Sequence, residues 1–214
     1  QNTLGVLARE LQRRNLVEIV RKDNEVGLKL HRVIQEEVER HLSTSSIEIL
    51  KEVDNKLLIQ INKMLPFVKI TNDPDWEKAK LLYFHADKIL SRSDKQNHLI
   101  EQAILHGKLA QYHGYIDKNY EMALKHTEAA KELWQSLGNN NNVIITLNNI
   151  LIWYGYLNNT KEQLKYCEQS LKMQQDTGES VSSTTIKIAK NAYRKLGDEA
   201  KASFLSKSNQ FTIK

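Results

Sequence analysis

A single cysteine among 214 residues excludes an internal disulfide framework and a cysteine-rich zinc site. Cys167 falls inside a helical pattern, where a small packed side chain is the expected role, and one free thiol is compatible with a reducing, cytoplasmic setting. Only 2 prolines and 8 glycines interrupt a chain rich in Leu, Lys, Gln and Glu, which favours helices throughout. No apolar run reaches the roughly 18 residues of a membrane span, and no secretory leader is visible. The net charge is only +5, with Lys and Arg spread among nearly as many acids. That balance reads as a solvated surface rather than a nucleic-acid footprint. No GxxxxGK[ST] phosphate loop, GxSxG or His-Glu-x-x-His motif occurs. The seven histidines are scattered. His106 and His113 lie seven apart on one helical face, where packed or exposed rings are expected rather than metal ligands. Catalysis, a metal and a cofactor are therefore not expected of this chain itself.

What the chain does have is self-similarity. Lys118-Asn119-Tyr120-Glu121-Met122-Ala123-Leu124-Lys125-His126-Thr127-Glu128 and Asn158-Asn159-Thr160-Lys161-Glu162-Gln163-Leu164-Lys165-Tyr166-Cys167-Glu168 align at an offset of 40, as do Gly138 and Gly178. Tyr112-His113-Gly114-Tyr115-Ile116 and Trp153-Tyr154-Gly155-Tyr156-Leu157 align at 41. A fixed period of this size marks an array of helix pairs, each burying its apolar face against its neighbours. Gly114 and Gly155 recur with aromatic neighbours, as expected where helix backbones approach closely.

Four units are predicted. The first has a helix over 46–63, a turn containing Leu65-Pro66-Phe67 and Asn72-Asp73-Pro74, and a second helix from about Asp75. The others have helices over 95–116 and 119–137, 141–157 and 160–176, and 181–195 and 198–208. The N-terminal part differs. A helical pattern over 4–16 gives way to two alternating runs, Leu16–Val20 and Val26–Leu30, around the polar turn Arg21–Glu25, which predicts a β-hairpin. His31–Leu42 is helical again. Helix, hairpin, helix is the tail of a winged helix, and Ser43-Thr44-Ser45-Ser46 marks a boundary between residues 1–42 and an array over 43–214. The chain opens at Gln1 within a helical pattern and reads as a piece of something longer.

The 40-residue units resemble the tetratricopeptide repeat, in the longer form found in kinesin light chains. That resemblance implies a mainly α fold, an α-α superhelix whose concave face binds proteins or peptides. Leu11–Ile19 followed by Leu28–Val38, with Met64-Leu65-Pro66-Phe67 opening the array, resembles the end of the winged helix in signal-transduction ATPases of the NB-ARC (STAND) type. This implies ATP or ADP held by an upstream domain in the full-length protein. Leu30-His31-Arg32 stands at the Met-His-Asp-like motif, which gives His31 a phosphate-sensing role. Arg32 departs from the acid of that motif.

Candidate partner-binding residues lie on the first helices of the units: Lys108, Gln111, Asn148, Asn149, Lys187, Asn191 and Arg194. Amides and cations at these places can hydrogen-bond an extended peptide and its terminal carboxylate. The aromatics Tyr112, Tyr115, Trp134, Trp153, Tyr154 and Tyr156 are expected mainly in repeat cores. Two further readings are a stand-alone tetratricopeptide scaffold or peptide-binding co-chaperone, and a DNA-binding winged helix contacting phosphate through Arg9, Arg13, Arg14, Arg21 and Lys22. The sequence is silent on oligomeric state.

Overall fold

The computed structural model of the chain describes residues 12–13, 17–22, 25–30, 36, 40, 47–65, 67, 76–93, 96–179 and 181–207. The chain divides into two compact units, residues 1–53 and 54–214.

In the first unit, β1 (Val17–Lys22) pairs antiparallel with β2 (Glu25–Leu30), with Val17 opposite Leu30 and Lys22 opposite Glu25. Val17, Ile19 and Val20 in the first run and Val26, Leu28 and Leu30 in the second supply the apolar residues that suit this pleat. Residues 12, 13, 36 and 40 are helical. The rest of the helices expected over 4–16 and 31–42 lies outside the described residues, and so does His31. A two-stranded hairpin is not by itself a winged helix.

The array is built from eight helices among the described residues. They are α1 (Ile47–Met64), α2 (Trp76–Arg92), α3 (Leu99–Gln111), α4 (Tyr120–Ser136), α5 (Asn140–Tyr156), α6 (Thr160–Thr177), α7 (Ser183–Lys195) and α8 (Glu199–Lys207). α1 begins in the first unit and continues into the second. From α3 onward each helix packs on the next in sequence. The expected helix over 95–116 starts only at Leu99, after His98 in a left-handed conformation, and its last five residues, Tyr112–Ile116, widen into a π turn.

The regular spacing comes from one cap repeated. Asn119, Asn139 and Asn159 are N-caps spaced by 20 residues, and their side chains accept from the backbone N–H of Met122, Asn142 and Glu162 at 3.1, 3.1 and 3.2 Å. The residue before each is left-handed: Lys118, Gly138 and Asn158. The cap's own N–H closes the preceding helix on His113, Trp134 or Tyr154 O. One tight turn thus ends one helix and starts the next. Gly197-Asp198 repeats it before α8.

Among the described residues, two cores fill the array. Leu58, Ile61, Leu65, Tyr83, Ala86, Leu105, Leu109 and Tyr112 form one between α1, α2 and α3. The larger runs from Ala103 through Leu124, Trp134, Leu147, Ile150 and Trp153 to Leu171, Tyr193 and Leu205. Tyr115 packs against both. Of the aromatics expected inside, Tyr112, Trp134 and Trp153 are buried, Tyr115 and Tyr154 half-buried, and Tyr156 exposed. Cys167 is fully buried, and burial, with Glu168 beside it, pushes its thiol up to about 12.

Candidate functional site

The first helices α5 and α7 each present a polar face beside a buried one. On α7, Thr185, Ala189, Ala192 and Tyr193 face the core, which turns Lys187, Asn191 and Arg194 outward. Ser182 caps this helix through the Thr185 N–H. On α5 the buried set Val143, Ile144, Leu147, Ile150, Leu151 leaves Ile145, Asn149, Ile152 and Tyr156 at or near the surface. These fall at helical spacing along one stripe.

Where the end of α5 and the start of α6 meet α7 there is a cavity of about 400 Å³. Asn158, Thr160 and Gln163 line one side, with Asn191, Arg194 and Lys195 on the other. Gln163 Nε2 donates to Leu151 O at 2.9 Å. Arg194 Nε lies 3.4 Å from Glu199 Oε1, an exposed contact. Amide and hydroxyl groups with two cations, and no carboxylate in the lining, suit a ligand that offers acceptors, a carboxylate above all.

The structure separates the seven candidates. Asn191 and Arg194 share the cavity, Lys187 sits one turn earlier on the same helix, and Asn149 stands half-buried on α5. Gln111 is half-buried near the end of α3. Asn148 belongs to the packing. Its Oδ1 accepts from Ser170 and Thr185 hydroxyls, each at 3.0 Å, tying α5, α6 and α7 together. Lys108 is also turned inward: it is 6% exposed, its ammonium donates to Asn62 O, and the Phe67 ring lies 5.2 Å away. Desolvation lowers its pKa. A lysine at a nominally outward position is claimed by the last turn of α1 and by Phe67 beyond it, which no repeat register foretells. The cavity residues Asn158, Thr160, Gln163 and Lys195 were missing from the sequence-based set. In the sequence, Asn158 and Thr160 stand out only as part of the 40-residue repeat.

Among the described residues no group of three His, Cys, Asp or Glu is placed to hold a metal ion, and no helix is long and apolar enough to cross a membrane.

Residues 101–176 match the tetratricopeptide repeat family. The apo form of RapI, a solved structure, superposes with a TM-score of 0.50 at 18% identity, over 81% of this chain. The chain spans 59% of that protein's length. At this identity the likeness speaks to fold alone: a tetratricopeptide-like helical repeat. No curated protein sequence matches the chain. The family match covers none of residues 1–42. Tetratricopeptide repeats generally bind proteins or peptides.

Proposed function

We propose that the array binds an extended segment of a protein partner along the concave face formed by its first helices. Asn149, Lys187, Asn191 and Arg194 would supply the polar contacts, with Ile145 and Tyr156 as apolar flanks. The carboxylate-free, cationic cavity beside Asn191 and Arg194 carries this reading, because backbone carbonyls and carboxylates of a peptide are its natural complement. Gln111 would extend the same track onto α3. The test is selection of a displayed random-peptide library on the full chain, followed by affinity measurement on a Lys187→Glu, Asn191→Ala, Arg194→Glu variant. Loss of at least about tenfold supports the assignment. Peptides that bind both proteins equally place recognition elsewhere.

A wider reading is supported by the pairing of β1 with β2 and by the sequence Leu30-His31-Arg32, which begins at the last residue of β2. In it the array is the sensing half of a signal-transduction ATPase in the cytoplasm. Residues 1–42 would close a winged helix on nucleotide held by an upstream domain, and His31 would donate to a phosphate oxygen. A partner that binds open and closed states unequally would drive the switch. Full-length protein should then retain ADP, and His31→Ala should lose it. Unchanged ADP retention in the variant removes this reading without touching the peptide-binding one.

A further inference from the structure

A second cavity, about 290 Å³, lies between α2 and the π turn that ends α3. Tyr83, Phe84 and Asp87 line it from α2, and Tyr112, His113 and Asp117 from the other side. It shares no residue with the partner face proposed above.

Its walls are aromatic. Tyr83 and Tyr112 stack with ring centroids 4.2 Å apart, and Phe84 is 70% exposed beside them. Its charges are all negative: Asp87 and Asp117, with His113 Nδ1 held 3.0 Å from Asp117 Oδ2. The π turn contributes a third feature. Asp117 is the C-cap, its N–H donating to Tyr112 O at 3.3 Å, so the cavity lies at the negative end of α3. Carboxylates, aromatic faces and a helix C-terminus all favour a cation. No lysine or arginine lines the cavity.

The carboxylate of Asp87 has a support behind it. His126 is 4% exposed, its Nε2 is buried without a hydrogen bond, and that atom lies 3.4 Å from Asp87 Oδ1. On the other side its Nδ1 lies 2.9 Å from His106 Nδ1. One of these two nitrogens must donate. If His126 Nδ1 donated, its bare Nε2 lone pair would face a carboxylate oxygen. The consistent arrangement has His106 Nδ1–H donating and the His126 proton on Nε2, turned to Asp87. A neutral imidazole at this distance orients the carboxylate without neutralising it. The Asp87 side chain stays 55% exposed, with its charge available outward.

The geometry points to a receptor for an arginine side chain presented by a protein or peptide partner. The planar guanidinium would stack against the exposed ring of Phe84, at the rim of the buried Tyr83–Tyr112 stack, while its N–H groups donate to Asp87 and Asp117. Arginine fits better than lysine because a flat, weakly hydrated, forked cation matches both a ring face and a carboxylate. The cavity's size admits the end of one side chain.

The test titrates the ¹⁵N-labelled full chain with the blocked tripeptide Ac-Gly-Arg-Gly-NH2 and its citrulline counterpart, which keeps shape and loses charge. Chemical-shift changes should map to Phe84, Asp87, His113 and Asp117. The arginine peptide should bind about tenfold or more tighter than the citrulline one. Asp117→Asn and Phe84→Ala alter exposed groups, so the helical circular dichroism should persist while binding weakens at least severalfold. Equal binding of the citrulline or a lysine tripeptide, shifts mapping elsewhere, or folded variants with unchanged affinity would each overturn the assignment.

Discussion

Gly114 and Gly155 occupy equivalent places in the repeat, yet they hold different neighbours. A methyl added at Gly114 would lie 2.4 Å from Trp153 Cη2 and Cζ3. That indole cannot yield: it is 1% exposed, and its Nε1 donates to Thr127 Oγ1 at 3.0 Å. At Gly155 the added methyl meets Gln163 Nε2 at 2.8 Å, the far end of a flexible side chain. Both glycines were expected to admit a neighbouring backbone, but the close atoms are side-chain atoms in each case. Gly114→Ala should therefore destabilise the fold by about 1–3 kcal/mol through overpacking. Gly155→Ala should cost less than about 1 kcal/mol, because the alanine gain in helix propensity offsets a displaced amide. Urea midpoints of the two variants check this, and similar losses would show that Gln163 is as immovable as Trp153. The recurrence of glycine was legible in the sequence. The identity of the atom filling the notch was not, because it depends on how α5 rotates against the π turn.

At the scale of elements, the array is organised by its turn. Left-handed residue, asparagine cap, helix recurs at Lys118-Asn119, Gly138-Asn139 and Asn158-Asn159. Glycine fills the left-handed place without penalty and asparagine at modest cost, whereas lysine sets its Cβ against a backbone oxygen. Lys118→Gly should thus stabilise the protein by up to about 1 kcal/mol, read as a higher urea midpoint with an unchanged slope. A fall would mean that the lysine stem packs usefully at this turn. Asn139→Ala should lose about 1 kcal/mol, since the Asn142 N–H then loses its side-chain acceptor. The 40-residue period was plain in the sequence, and the predicted helix limits from 119 onward lie close to those observed. The 20-residue period of the caps was equally present but hidden, because the Asn139–Asn142 run reads as an undifferentiated turn. Further upstream the pattern is degenerate. Neither the left-handed start at His98 nor the inward turn of Lys108 has a repeat-based signature.

For the whole molecule, acid should act first at the seam between the two cores described above. Tyr115 joins them, and the His106–His126 pair lies between α3 and α4 with Asp87 of α2 alongside. Burial, above all, holds His106 down to about 4 and His126 to about 3. For His126 the neighbouring rings of His106 and His113 and the ammonium of Lys125 act in the same direction. Asp87 opposes the shift at His106, and Lys125 reinforces it. Asp87 is too well solvated to reverse the effect. Both rings fold as neutral groups, so their contribution is complete above the unfolded value near 6.5. It is lost as pH falls from there towards 4 and 3, because the unfolded chain takes up protons that the folded one refuses. At pH 4.5 the two histidines together should cost at least about 2 kcal/mol relative to pH 7.5. Because both rings sit where α3 meets α4, this loss falls mainly on that interface rather than on the whole array. Urea unfolding followed by hydrogen exchange should show a single transition at pH 7.5. At pH 4.5, residues 54–92 should lose protection before α5–α8. His126→Gln, which cannot take up that proton, should remove roughly half of the difference between the two pH values, His106 supplying the rest. If the variant keeps the full pH dependence, or if all helices still lose protection together at pH 4.5, the seam is not where acid acts, and the two cores behave as one cooperative body.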